Sequence, residues 1–236
     1  MDGFSYNNIF ETKGIEYLII IAFLSLIIPF WMIINKKSGA KMQIRHALGV
    51  LSDSILRIPK GLFFSKNHTW AYLERSGNAK VGLDDFLLHI TGEIKFINMK
   101  HKGDFMFKGE LMAQIDQDGK TLDLTSPISG KIMKANSAII DNPEIVNEDP
   151  YGDGWVYLIQ PTDWVMETNS YYLSENAVAW SKRELIRFKD FLGETMRKYS
   201  PETSMLILQD GGELRDKPLS ELPGEVWHDF QKSFLN

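Results

Sequence analysis

Cysteine is absent from this chain of 236 residues, and its absence excludes several classes of protein at once. Disulfide bonds, cysteine-ligated iron–sulfur clusters, thiolate zinc sites and cysteine nucleophiles all need a residue that the chain does not contain. A basic excess is also lacking, since the formal net charge is -5. Nucleic-acid-binding proteins usually carry such an excess, so the composition gives no indication of a nucleic-acid partner.

Motifs for catalysis and for metal binding are missing as well. We find no phosphate-binding loop, no dinucleotide-binding glycine motif and no serine nucleophile elbow. No two of the five histidines have the spacing of a zinc site. Asp116, Asp118 and Asp123 form an acidic cluster, but the later ligands of an EF-hand loop do not follow it, which favours a solvated acidic hairpin. The sequence therefore predicts no enzyme activity and no metal.

One long apolar run stands out near the N terminus. Residues Tyr17 to Asn35 contain no charged side chain and are apolar on every helical face. Nineteen helical residues extend about 28 Å, close to the thickness of the hydrocarbon core of a bilayer. A basic n-region and an A-x-A cleavage site are lacking, which argues against a signal peptide. The run therefore predicts a single transmembrane helix over 17–35.

Basic residues follow the apolar run, and no acidic residue interrupts them before Asp53: Lys36, Lys37, Lys41 and Arg45. The positive-inside rule then places residues 1–16 outside and the rest of the chain in the cytoplasm, attached to the inner membrane of a bacterium. Residues 36–62 are expected to form a basic amphipathic connector. Its apolar residues recur at helical spacing: Ile44, Leu48, Leu51 and Ile55.

Many short strands with glycine turns are predicted after residue 63, which is typical of a small barrel or sandwich. A short helix over 83–92 interrupts them, with Asp84 near its start and Gly92 after its end. A longer helix is predicted over 175–199, a strand over 205–209 and a last helix after Pro223. The predicted class is α+β, with residues 165–236 forming a helix–strand–helix extension.

Four motifs in the middle of the chain resemble those of the glycine cleavage H protein, a carrier that bears lipoate. They occur in the family's order: His68-Thr69-Trp70, V-G-L-D-D-F at 81–86, S-P-I-S-G at 126–130, and N-P-E-I-V-N-E-D-P-Y-G-D-G-W at 142–155. The last run is long and specific. The resemblance implies a lipoyl-type β-sandwich, or barrel-sandwich hybrid, over 63–164, and it covers less than half of the chain.

In the family that the chain resembles, a lysine at the tip of a hairpin carries the lipoate. That lysine lies seven residues before the serine of the S-P motif and ten residues after a turn glycine. Counting back from Ser126 and forward from Gly109 leads in both cases to Gly119. Lys120 stands one residue later, and it is expected to be a solvated partner of Asp118 or Asp116. The resemblance therefore implies that no lipoate is bound, and Asp118-Gly119 is a preferred pair for a two-residue turn.

Two functions follow from these observations. The first is a non-catalytic, membrane-anchored subunit that holds a membrane protein complex together without lipoate. Kinship with carriers that dock on redox enzymes favours an oxidoreductase or respiratory complex as the partner, by analogy alone. The second is a carrier that is lipoylated at Lys120 and serves a dehydrogenase.

Overall fold

The computed structural model describes residues 9–35, 50–51, 56–199, 208–209 and 213–236. Side chains are described for residues 17–31, 56–195, 198–199 and 216–236. The chain divides into two compact units, residues 1–44 and residues 45–236.

The first unit contains one long helix. Helix α1 covers Ile9–Asn35, so it begins within the predicted 1–16 tail, and it contains Pro29. In the part of the chain that the structure describes, no helix is both long and apolar enough to cross a membrane. The described side chains of α1 run over residues 17–31, which is about 22 Å of helix. The transmembrane span predicted over 17–35 is therefore not found, and membrane attachment stays a prediction.

The predicted connector, residues 36–62, falls largely outside the described residues. Where it is described, strand β1 covers Val50–Leu51, so Leu51 lies in a strand and not in the expected amphipathic helix. Strand β1 pairs with β12, Glu213–Arg215, which also pairs with β11, Leu208–Gln209. At Leu51, pairing with a distant part of the chain thus takes the place of the predicted helix.

Two further sheets form the centre of the second unit. The six-stranded sheet has the order β2-β3-β4-β10-β9-β6. Its strands are Phe63–Phe64, Thr69–Leu73, Ala79–Leu83, Tyr157–Pro161, Gly130–Ala135 and Phe105–Met106, in that order. The three-stranded sheet has the order β5-β7-β8, with strands Lys95–Ile97, Leu111–Gln117 and Lys120–Thr125. All the pairs in both sheets are antiparallel.

The two sheets enclose one hydrophobic core. Val81 and Ile159 point into it from the larger sheet, and Ile115 and Leu122 point into it from the smaller one. Side chains alternate between the two faces of a strand, so the residues next to these in sequence lie on the outer faces of the two sheets. The predicted β-sandwich is confirmed in this coarse form.

Helices close the second unit. Helix α2, Asp85–Thr91, has the predicted Asp84 as its N-cap, whose carboxylate accepts a bond from the Leu87 amide at 2.9 Å. Three short helices follow: α3 (Ala138–Asp141), α4 (Glu144–Glu148) and α5 (Trp164–Thr168). Helix α6 covers Glu175–Tyr199, as predicted.

The chain ends in a 3-10 helix, Pro218–Glu221, then α7, Gly224–Phe230, and a π-helical turn, Gln231–Leu235. Apolar side chains of α6 and of this last segment belong to the same core as the two sheets. The C-terminal residues are therefore packed onto the sandwich, and they are positioned to reach its smaller sheet.

Candidate functional site

The hairpin formed by β7 and β8 contains the position where the resemblance expects the lipoyl lysine. Gln117 and Lys120 form its last cross-strand pair, and Asp118 and Gly119 form the turn. Their φ angles are 51° and 82°, as a two-residue type I′ turn requires. Apart from Gly119 itself and its two chain neighbours, no atom lies within 4 Å of the place where a Cβ of Gly119 would stand. The tip therefore points into open space and has no side chain that could carry a prosthetic group.

Lys120 lies on the flank of the hairpin, and its amine is bound to residues 216–236, which we call the C-terminal segment. The Nζ atom donates to the carbonyl oxygen of Ser220 at 2.6 Å and to that of Leu222 at 3.3 Å. It also lies 5.2 Å from the centre of the Trp227 ring, within the range of a cation–π interaction. The prediction that Lys120 is a solvated partner of Asp116 or Asp118 was wrong, because the C-terminal segment packs on this flank.

Gln231 binds the backbone of the same flank. The amide of Asp123 donates to Oε1 of Gln231 at 2.8 Å, and Nε2 of Gln231 donates to the Asp123 carbonyl oxygen at 3.2 Å. Strand β8 is an edge strand of its sheet, so these backbone groups have no strand partner on that side. The Gln231 side chain thus takes the place of a neighbouring strand at one residue.

A charged cluster attaches the start of the C-terminal segment to α2. Nδ1 of His89 lies 2.7 Å from Asp216, and Nε2 lies 3.5 Å from Asp85. Burial alone would lower the pKa of His89, but hydrogen bonds with Asp216 and Asp85 outweigh it and raise the pKa to about 9. Burial likewise opposes ionisation of Asp85, yet His89 and Arg57 hold the pKa of its carboxyl below the usual value.

Two acidic residues of the hairpin have partners within their own sheet. Asp116 lies opposite Thr121 on one neighbouring strand of its sheet and opposite Lys95 on the other, and the Asp123 carboxylate accepts a bond from Gln114. Among the residues that the structure describes, no group of three or more acidic or histidine side chains is placed to hold a metal ion.

The family-like motifs have structural roles in this chain. His68 is fully buried, and its Nδ1 lies 2.8 Å from Asp84. Trp70 donates to the Leu83 carbonyl at 2.9 Å, and its ring fills the space that a Cβ at Gly82 would need. These contacts hold the first strands of the sandwich and the start of α2 together.

The sequence did not reveal the partners of Lys120. Ser220 and Leu222 belong to no motif, and they contact Lys120 through backbone carbonyl groups, which every residue has. The apolar face of the last helix, which includes Trp227, was the one available signal. It indicated that this helix packs on something, but not on which surface.

Comparisons with known proteins point to one family. Residues 62–184 match the family described as Glycine cleavage H-protein. A glycine cleavage system H protein of Coprothermobacter proteolyticus is 31% identical over 139 residues, which cover 59% of this chain and 100% of that protein. One from Stenotrophomonas maltophilia is 37% identical over 106 residues, covering 45% of this chain and 81% of the relative.

A solved structure gives a further comparison. The crystal structure of a glycine cleavage system H protein from Mycobacterium marinum is 29% identical, with a TM-score of 0.42. The alignment covers 44% of this chain and 87% of that one. The family match itself extends to residue 184, beyond the end at residue 164 that the motifs indicated, and it includes the first part of α6.

Proposed function

Because this chain belongs to the glycine cleavage H-protein family, whose members are non-catalytic carrier proteins, we propose that it functions without lipoate. It acts as an accessory subunit of a membrane-associated protein complex, in which the family's sandwich serves as a docking module. The lipoate-free state and the subunit role are separate parts of this proposal, and each has its own test.

The binding of the Lys120 amine is the observation that carries the lipoate-free state. A lipoyl lysine must extend from the protein so that a ligase can reach its amine and the arm can then move between active sites. Gly119 has no amine, and the amine of Lys120 is held by two carbonyl groups and the Trp227 ring. The residues at the hairpin therefore do not fit a covalently bound lipoate.

Intact mass tests this part directly. Wild type and Lys120→Arg are purified from the native host, and a known lipoylated protein from the same cells shows that the ligase is active. We expect wild type to have the mass of the unmodified chain, and Lys120→Arg to differ from it by the substitution alone. A lipoyl increment that is present in wild type and lost in Lys120→Arg would establish the carrier function instead.

Exposed apolar side chains of α1 support the membrane part of the proposal. The large apolar residues among 17–31 are 40–73% exposed, although their surface is the kind that proteins usually bury. We propose that this helix attaches the chain to the cytoplasmic membrane, with the second unit in the cytoplasm. A reporter that is active only in the periplasm, fused after Asn236, should stay inactive; activity would contradict the orientation.

The proposed partner is a membrane oxidoreductase or respiratory complex, by analogy with carriers of this family that dock on redox enzymes. Gentle detergent extraction from the native membrane should yield the chain at a native mass well above its own. The same extraction after deletion of residues 1–35 serves as the control. Recovery of the full chain as a monomer would contradict the subunit role.

A further inference from the structure

The outer face of the six-stranded sheet carries two rows of side chains, which are exposed except for the partly buried Lys80 and Leu158. Cross-strand pairing places the first row on β3, β4, β10 and β9: Tyr72, Lys80, Leu158 and Lys134. The second row lies on β10, β9 and β6: Gln160, Lys131 and Phe105. Their neighbours along the strands, such as Val81, Ile159 and Ile132, point into the core. We refer to these seven residues as the basic face.

Three of the seven residues are lysines and none is acidic, although the whole chain has a net charge of -5. The ammonium groups of Lys80 and Lys134 lie 5.9 and 5.4 Å from the centre of the Trp155 ring, which holds both on this side of the sheet. Glu74 lies 3.5 Å from Lys80. Within the described residues, no ion pair is found for Lys131 or Lys134. The face therefore has positive charge that the protein does not neutralise.

Aromatic side chains mark two sides of this face. Tyr72 on β3 and Phe105 on β6 are each 44% exposed. Phe107 follows Phe105, with its ring centre 5.0 Å away, and is 64% exposed. Exposed aromatic rings beside lysines are typical of surfaces that rest at the headgroup level of a membrane, where the ring meets the apolar boundary and the ammonium meets phosphate.

We propose that the basic face rests on an anionic phospholipid bilayer, with its lysines among the phosphate headgroups. Charge complementarity supports this occupant, because each lysine near an anionic membrane surface contributes to binding. A broad face whose Lys131 and Lys134 have no ion pair among the described residues also matches an extended lipid surface better than it matches a single acidic side chain. The inference rests on the membrane part of the proposed function and is independent of the absence of lipoate.

The absence of cysteine allows a direct test on the full-length chain. Gln160→Cys provides one labelling site on the basic face, and Ile97→Cys provides one on the outer face of the other sheet. Each variant carries a fluorophore and is reconstituted into phosphatidylcholine vesicles with or without phosphatidylglycerol, in which brominated acyl chains quench nearby labels. We expect quenching at position 160 only when phosphatidylglycerol is present, and none at position 97. Equal quenching at the two positions, or none at 160, would overturn the proposal.

Reversing the charge of lysines on the basic face is the second test of the proposal. The pair Lys131→Glu and Lys134→Glu should reduce the membrane-contacting population roughly 25-fold or more, since each lysine is worth about 5-fold. Lys95→Glu, on the other sheet, should change nothing. If the double variant does not fold, added salt should release the wild-type label in the same way, because it screens charges at an exposed surface.

The controls separate this inference from the proposed function. Flotation with pure phosphatidylcholine vesicles reports on α1, whereas quenching at position 160 reports on the basic face. Flotation without quenching in anionic vesicles overturns the inference and leaves the attachment intact. Quenching in anionic vesicles without flotation on neutral ones supports the inference and contradicts the proposal that α1 attaches the chain to the membrane. Quenching that appears only after other subunits are added shows a protein contact, and it overturns the inference.

Discussion

The tip and the flank of the β7–β8 hairpin are one residue apart and have opposite surroundings. Gly119 at the tip faces open space, whereas Lys120 on the flank is bound by three groups of the C-terminal segment. An amine at the tip would be free to react, and an amine on the flank is used to hold the protein together. A shift of one residue is therefore enough to turn a position suited to a carrier into a structural one.

Removal of the Trp227 ring should disturb the flank of the hairpin more than any other single change described below. The ring is 1% exposed, packs in the core and lies beneath the Lys120 amine. Trp227→Ala should lower the free energy of unfolding by about 3–5 kcal/mol, measured by urea denaturation. Phe107→Ala, at an aromatic residue that is 64% exposed, is the matched control and should cost little. Similar losses in the two variants would show that the C-terminal segment is only loosely attached.

A change of pH should loosen the attachment of the segment at His89. The folded pKa of about 9 lies above the ordinary value of 6.5, so the charged His89 stabilises the fold fully below pH 6.5. This contribution, roughly 2–3 kcal/mol, is lost as the pH rises through about 9. Urea denaturation from pH 6 to pH 10 measures it.

His89→Gln should flatten this pH dependence, whereas His228→Gln, at an exposed histidine, should keep it. A wild-type stability that does not change over this range would show that His89 is not held as a cation between the two carboxylates.

Loss of the Lys120 amine should have a smaller effect than loss of the ring beneath it. Lys120→Met keeps the aliphatic stem and removes both bonds to carbonyl oxygens, which leaves two acceptors with one partner fewer. We expect a loss of about 1–2 kcal/mol in the free energy of unfolding. Lys102→Met, at an exposed lysine, should be within about 0.5 kcal/mol of wild type. An unchanged stability in Lys120→Met would return Lys120 to the solvated state that the sequence suggested.

The smallest effect is expected at Gln231. Gln231→Ala removes the two bonds to the backbone of Asp123, at a site that is partly exposed to water. We expect a loss of about 1 kcal/mol or less, together with faster hydrogen exchange of the Asp123 amide. Gln160→Ala, on the larger sheet, should leave that exchange unchanged. Unaltered exchange in Gln231→Ala would mean that the edge of β8 is protected in another way.

Local features of the sandwich and the helices were predictable from sequence. The Asp84 cap, the Asp118-Gly119 turn and the bounds of α6 all depend on residues a few positions apart, whose preferences act through local backbone geometry. The position of Gly119 at the tip follows from such local spacing too. The sequence did not predict the surroundings of the next residue, Lys120.

The contacts that define the flank join residues far apart in the chain. Lys120 and Ser220 are separated by 100 positions, and His89 and Asp216 by 127. No periodicity or spacing connects such pairs, because they meet only after the sandwich has formed and the last segment has packed on it. The same reason explains Leu51, which was assigned to a local helix and pairs instead with Leu214.

The turn at the tip also bears on the evolutionary history of the chain. Asp118 and Gly119 both have positive φ angles. Glycine adopts such an angle readily, whereas other L-residues adopt it at a cost in energy. A mutation that placed lysine at position 119 would restore an amine at the tip, but it would add strain of about 1 kcal/mol and would supply no benefit until a ligase and a partner enzyme used it. Under the proposed function, loss of the carrier lysine is an easy step to take and a difficult one to reverse, so descendants of this chain should keep the bare turn.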